Sequence, residues 1–261
     1  MNNYDIKVEN IKSKFLNINK DIIIALPSIY DQNIAYEVYL VFDGKDMLLN
    51  SNSNSNILFE NNSNCIFIGI GSTNNMTRFN DLATYTNDDV KILMTKYFPE
   101  LKKSNIDFLG GNGKNYLEFI INEVIPFVIK KFNLKIKNLN AIGCSLGAYF
   151  CLQMLYLSKL QFTKLLLFSP AIWFNSQIIE DLKTKVLNNN QPLIVELWVG
   201  KKEPKFFEGK LVTNYESNTI ELKKILTNRK ITTNLVIDEN GSHGFKWWIK
   251  YINENPLILI T

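Results

Sequence analysis

Short apolar runs, rich in β-branched and aromatic residues, punctuate the chain, and turn signals close them. Asp21 to Leu26 stops at Pro27, and Glu37 to Phe42 stops at Asp43-Gly44. Cys65 to Ile70 is a third run, and the short Leu139 to Ile142 precedes a glycine turn. Lys164 to Phe168 meets Ser169-Pro170, Leu193 to Val199 meets Gly200, and Thr233 to Ile237 meets Asp238. Runs that are apolar on both sides of the pleat predict strands covered on both faces, as in a mostly parallel sheet.

Helical patterns fill the gaps. Tyr116 to Phe132 carries Leu117, Ile120, Ile121, Val124, Ile125 and Val128 on one stripe. Ser145 to Leu157, Ser176 to Leu187, Asn218 to Leu226 and Phe245 to Ile252 follow strands. This alternation predicts an α/β fold with right-handed crossovers and helices on both faces of the sheet. Tyr4 to Asn10, Lys12 to Asn17 and Asp21 to Leu26 have no helix between them, so they predict antiparallel edge strands. The stretch 71–113 reads as long and irregular, with one helix near Val90 to Phe98, and long loops in compact domains are often functional. No repeat or linker divides the chain, so 1–261 reads as one domain. The SNSNSN run at 51–56 reads as a solvated loop or a loose helix end.

Composition narrows the function. The chain is 46% hydrophobic, enough for a real core. Lys and Arg number 29 against 25 Asp and Glu, a net charge of +4 that does not indicate a nucleic-acid binder. The first residues lack a signal-peptide pattern, and no apolar stretch is long enough to span a membrane. Cys65, Cys144 and Cys151 form no C-x-x-C pair and read as buried free thiols, so a cytoplasmic setting is expected. The sequence has 1 histidine, His243, which excludes any metal site needing two. Neither a metal nor a cofactor is expected.

The strand Leu139 to Ile142 runs into Gly143-Cys144-Ser145-Leu146-Gly147 and then a helical pattern. A G-x-S-x-G between strand and helix holds the serine on a sharp turn above the sheet, with glycines where a Cβ would clash. The helix points free N–H groups at the reacting centre, and the N–H of Leu146 is a candidate oxyanion donor. A serine needs a base, and the only imidazole lies in Asn240-Gly241-Ser242-His243-Gly244, past the last strand. Such a position is where the active groups of parallel sheets gather. The interval between Ser145 and His243 leaves room for two β/α units, as the order Ser, acid, His requires.

Glu203 is the first acid past the strand Leu193 to Val199, and it is the candidate to orient the imidazole. Glu208, Glu216 and Asp238 compete; Asp238 lies near His243 in sequence but on the end of the last strand. The second oxyanion donor is expected after the strand Glu37 to Phe42, from the backbone of Lys45 or Gly44. Arg78 could grip an anionic substrate group, or pair with Asp81 or another acid to fix the long loop. Trp173 could line a pocket. Trp247 and Trp248 read as packing residues, and Lys201 and Lys202 as solvated.

In order along residues 20–252, these segments resemble the putative-esterase family of α/β hydrolases, which includes esterase D, feruloyl esterases and enterochelin (siderophore) esterases. Leu26-Pro27-Ser28-Ile29-Tyr30 resembles its L-P-x-x-Y opening, and Leu40 to Gly44 its strand ending in D-G. Arg78 to Leu82 resembles an element of the siderophore branch. Gly110 to Gly113, with Phe119 and Val124 to Phe127, resembles the G-G-G helix segment. Gly143 to Gly147, Phe168 to Trp173, Val199 to Glu203 and Gly241 to His243 resemble the nucleophile, S-P-S-x-W, acid and histidine stretches. Ala148 replaces a second glycine, and Glu203 stands where many relatives have Asp. The resemblance implies an α/β-hydrolase fold and a serine esterase without cofactor, acting on a small-molecule ester such as a siderophore. It implies Ser145 as nucleophile, His243 as base and Glu203 as orienter. An acyltransferase on the same triad, or a binding protein that has lost activity, remains an alternative. The oligomeric state is not readable.

Overall fold

The structure, a computed structural model, describes residues 4–49, 64–71, 75–97, 109–205, 207–208 and 211–259; the 51–56 run and Phe98 lie outside them. Eight strands form one sheet: β1 (Tyr4–Lys12), β2 (Asn19–Pro27), β3 (Ala35–Phe42), β4 (Cys65–Ile70), β5 (Lys135–Cys144), β6 (Phe162–Phe168), β7 (Ile194–Gly200) and β10 (Thr232–Asp238). Their order is β1-β2-β4-β3-β5-β6-β7-β10. β2 runs antiparallel to both of its neighbours, and the pairs from β4 to β10 are parallel. A two-residue ribbon, β8 (Phe207–Glu208) with β9 (Leu211–Val212), stands apart.

This is the α/β-hydrolase arrangement, with antiparallel strands at the N-terminal edge. The stretch from Lys12 to Asn17 departs from the strand expectation. It is the turn joining β1 to β2, closed by Ser13 N–H to Ile18 O at 2.9 Å and Leu16 N–H to Ser13 Oγ at 3.0 Å. Two polar residues and Asn17 at a left-handed φ of 54° favour reversal over extension.

The helices cover both faces. α6 (Leu146–Leu157) is buried from Leu146 to Tyr156, so it is apolar all round and has no solvent face. It shares the larger core with α4 (Gly113–Phe119), α7 (Gln177–Thr184) and α8 (Tyr215–Asn228). On the other face α1 (Gly44–Leu48) and α9 (Phe245–Glu254) bury Met47, Leu48, Trp248 and Ile252. The expected helix to Phe132 begins at Gly113 and widens to a π-turn over Ile120–Val124 before α5 (Ile125–Phe132). Pro126, which has no N–H to give to the ladder, explains the widening.

The stretch after β4 is more regular than expected, with two helices among the described residues, α2 (Asn75–Asp81) and α3 (Asp88–Tyr97). A fully buried ion pair, Lys20 Nζ to Asp81 at 2.7 Å, ties α2 to the sheet. Asp81 also accepts from Asn112 at 3.0 Å, and the Lys20 ammonium lies over the Tyr116 ring.

The chain moves outward from β3 to β4 and then back across to β5. The carboxyl ends of β3 and β5 therefore sit side by side at the point where the winding reverses, the place where open α/β sheets form a crevice.

Candidate active site

Ser145 leaves the end of β5 with φ 54° and ψ −114°, a conformation that costs a non-glycine residue on the order of 1–3 kcal/mol. Its backbone is held from both sides: its N–H donates to Phe168 O at 2.8 Å, and its carbonyl accepts from Ala171 N–H at 3.1 Å. A Cβ on Gly143 would fall 2.5 Å from the Gly147 carbonyl carbon, so the turn closes only with glycine there. Cys144, next to the serine, is fully buried, and burial pushes its thiol pKa well up, so it stays protonated and inert.

The ends of β7 and β10 carry the other two groups. Gly200 and Gly241 touch backbone to backbone, and a Cβ on Gly200 would lie 2.3 Å from the Gly241 carbonyl. Lys202 N–H donates to Gly241 O at 2.9 Å. Across this contact Glu203 Oε2 meets His243 Nδ1 at 2.6 Å. The Glu203 side chain is 5% exposed and that of His243 25%. A carboxylate at Nδ1 fixes the tautomer with its proton there and leaves Nε2 as the basic nitrogen.

Asp238 has a different partner set: its carboxylate caps the His243 loop by accepting from the N–H groups of Asn240 at 2.9 Å and Gly241 at 3.0 Å. Glu216 lies in the first turn of α8. The side chain of Glu208 lies outside the described residues.

Ser145 and His243 share a cavity of about 270 Å³, walled by Arg78, Phe79, Met94, Leu146, Trp173 and Tyr215 among others. Trp173 lines it and stands edge-on to Tyr215, 6.1 Å away. The Tyr215 ring lies 4.8 Å from the His243 ring. Burial raises the Tyr215 pKa, only partly opposed by Trp173 and by the Ser145 hydroxyl, so the phenol remains a donor beside the serine. Nothing in the local pattern of the sequence marked Tyr215; its place comes from the start of α8 folding over the histidine loop.

Arg78 reaches the same wall, but its partner is Asp43 and not Asp81. Nε donates to Oδ1 at 2.6 Å and Nη2 to Oδ2 at 2.7 Å, a two-pronged grip. Asp81 is already held by Lys20 and Asn112, which leaves it no orientation toward Arg78. Asp43 sits at φ 56° and opens α1, whose first residues are Gly44 and Lys45. Neither Gly44 nor Lys45 is among the described residues lining the cavity, whereas Leu146 is.

Trp248 does more than pack. Its Nε1–H donates to Ser169 Oγ at 3.0 Å, and Ser169 Oγ donates to Glu203 Oε1 at 2.5 Å. Among the described residues no three His, Cys, Asp or Glu side chains converge as a metal site would require.

A serine on a strained strand-to-helix turn and a carboxylate-bound imidazole thus meet at one cavity of an α/β-hydrolase fold. The chain belongs to the Putative esterase family, whose model matches residues 13–257. That membership indicates a hydrolase acting on esters. Among solved structures it is similar to the BES protein from Bacillus cereus, at 20% identity and a TM-score of 0.71, over 98% of this chain and 94% of that one. It is similar to the siderophore hydrolase EstB from Aspergillus nidulans at 16% identity and TM-score 0.73, over 97% and 94% of the two chains. The enterobactin esterase FES from Shigella flexneri matches at 14% identity and TM-score 0.70, over 98% of this chain and 58% of that one. No curated protein sequence matches the chain. Among the described residues no helix is long and apolar enough to cross a membrane.

Proposed function

We propose that the protein is a serine carboxylic-ester hydrolase working through an acyl-enzyme. Ser145 Oγ attacks the ester carbonyl while His243 Nε2 takes its proton. Glu203, at Nδ1, holds the ring and stabilises its charged form. The N–H of Leu146, which lines the cavity, receives the oxyanion. The alcohol leaves with the proton from His243, and water, activated by the same nitrogen, frees the acid and restores Ser145.

The observation that carries this reading is the 2.6 Å bond from buried Glu203 to His243, whose ring lines the same cavity as the strained Ser145. The wall of Phe79, Met94, Trp173 and Tyr215 supports an ester with an apolar or aromatic acyl part. The names of the structural neighbours extend the proposal to a siderophore ester. The three cysteines, unpaired and buried, support a reducing, cytoplasmic setting.

Labelling with a fluorophosphonate probe tests the mechanism. The wild-type chain should label at one serine, and Ser145→Ala and His243→Ala should lose hydrolysis of p-nitrophenyl acetate by at least about 10³-fold. Labelling that persists in Ser145→Ala would sink the nucleophile assignment.

A further inference from the structure

A carboxylate has two oxygens, and only one of those on Glu203 faces the imidazole. Oε2 accepts from His243 Nδ1, while Oε1 accepts from the Ser169 hydroxyl at 2.5 Å and from Gly200 N–H at 3.4 Å. Ser169 is fully buried just past β6, at φ 46°, with its N–H given to Trp198 O at 2.7 Å. That strained backbone aims the hydroxyl across the end of β7 at the carboxylate.

The direction of the chain of bonds follows from donor inventory alone. An indole N–H can only donate. Trp248 Nε1 donates to Ser169 Oγ at 3.0 Å, so that oxygen is an acceptor there and its single proton goes to Glu203. Trp248 also sets its ring edge-to-face against His243, with centroids 4.9 Å apart and planes at 84°. One side chain therefore touches the histidine directly and the acid through one hydroxyl. Trp248 is 3% exposed and Glu203 9%, so bulk water is a poor substitute for either contact.

We propose that Ser169 and Trp248 are positioning residues for His243, acting through Glu203. Ser169 selects the carboxylate orientation that presents Oε2 to the ring. Trp248 orients the Ser169 proton and buttresses the imidazole. The proposal rests on the reading of Ser145, His243 and Glu203 as the reacting set.

The test is hydrolysis of p-nitrophenyl acetate by Ser169→Ala, Trp248→Phe, Glu203→Ala and the two double variants with Glu203→Ala, each checked for folding by circular dichroism. Trp248→Phe keeps a ring in the core and loses only the donor, so it carries the test if Ser169→Ala does not fold. Ser169→Ala should lower kcat about tenfold and Trp248→Phe about threefold, with KM within about twofold of wild type. Both losses should nearly vanish in the Glu203→Ala background, because there is then no carboxylate to orient. A packing role would lower kcat equally in both backgrounds, and that result, or an unchanged kcat in the single variants, overturns the proposal. Hydrolysis that survives Ser145→Ala removes the triad reading and this one together. Loss in Ser145→Ala with full activity in Ser169→Ala and Trp248→Phe removes only this one.

Discussion

Replacing Arg78 with methionine should damage both stability and turnover, and replacing Asp43 as well should restore most of the first but only part of the second. The Asp43 side chain is 4% exposed and that of Arg78 22%, so the pair is largely out of water. Burial pulls the Arg78 pKa down, but the Asp43 charge and hydrogen bonds push it up by more, and the guanidinium stays charged. Removing it strands a buried carboxylate. Breaking a buried pair this way costs about 3–5 kcal/mol, and the partial exposure of Arg78 brings the expectation to about 2–4 kcal/mol. At about 2–4 °C per kcal/mol for a chain near this size, Tm should fall by roughly 4–16 °C. Asp43→Asn in the Arg78→Met background removes the stranded charge, and Asn accepts the left-handed φ of 56°, so most of the Tm should return.

Turnover should behave differently. The Asp43 carboxylate lies beside the start of the nucleophile helix, 3.6 Å from where a Cβ on Gly147 would stand, and an unpaired negative charge there opposes the one that develops in the transition state. Arg78→Met should lower kcat about 100-fold, the scale of losing one oxyanion donor. The double variant should regain part of this, but without Arg78 the α2 wall is no longer tied to β3. Thermal unfolding and p-nitrophenyl ester kinetics on the three variants decide the matter. An Arg78→Met protein within about 1 °C of wild type, or a double variant no more stable than the single one, would refute the account.

Glu203→Gln keeps the shape of the acid and loses its charge; kcat should fall by about 10²–10⁴-fold with KM little changed, measured by steady-state hydrolysis. Gly200→Ala forces the acid and histidine loops apart, because its Cβ would lie 2.3 Å from Gly241; a loss of about 1–3 kcal/mol in urea unfolding and a large loss of kcat are expected. Asp181 is buried, which raises its pKa, but bonds from Tyr85, Lys185 and Gln177 outweigh that and hold it below its ordinary 3.8. A folded pKa below the unfolded one gives stability that is present above 3.8 and disappears as pH falls through the folded value. Asp181→Asn should therefore destabilise the protein at pH 7, and its deficit against wild type should shrink as pH falls below 3.8, as followed by unfolding midpoints.

Much of the frame was legible because it depends on local pattern. Apolar runs closed by turns marked the strands of the parallel part of the sheet, and the glycines around Ser145 marked the turn at the end of β5. What was not legible depends on where distant segments meet. Asp81 stands three residues from Arg78 and looked like its partner, but Lys20, on β2, takes it first. Asp43 reads in sequence as half of a turn signal, and its ion pair exists only because α2 crosses the end of β3. Trp248 carried the pattern of a packing residue, and it is one, yet its single polar atom meets Ser169 across 79 positions of chain.

The loops that carry Ser145, Glu203 and His243 are stitched to one another in a row. Ser145 N–H reaches the end of β6, Ser169 N–H the end of β7, and Lys201 N–H the end of β10, at 2.8, 2.7 and 2.8 Å. Arg78, Phe79 and Met94, by contrast, come from α2 and α3, a single excursion between β4 and α4 that shares none of those stitches. The molecule thus divides like a tool with a fixed handle and an exchangeable bit. Descendants that keep the Arg78–Asp43 and Lys20–Asp81 pairs could vary the rest of the excursion and meet new esters while the reacting frame stayed as it is. An engineer wishing to redirect the pocket should begin with Phe79 and Met94, where substitution disturbs no link in the row.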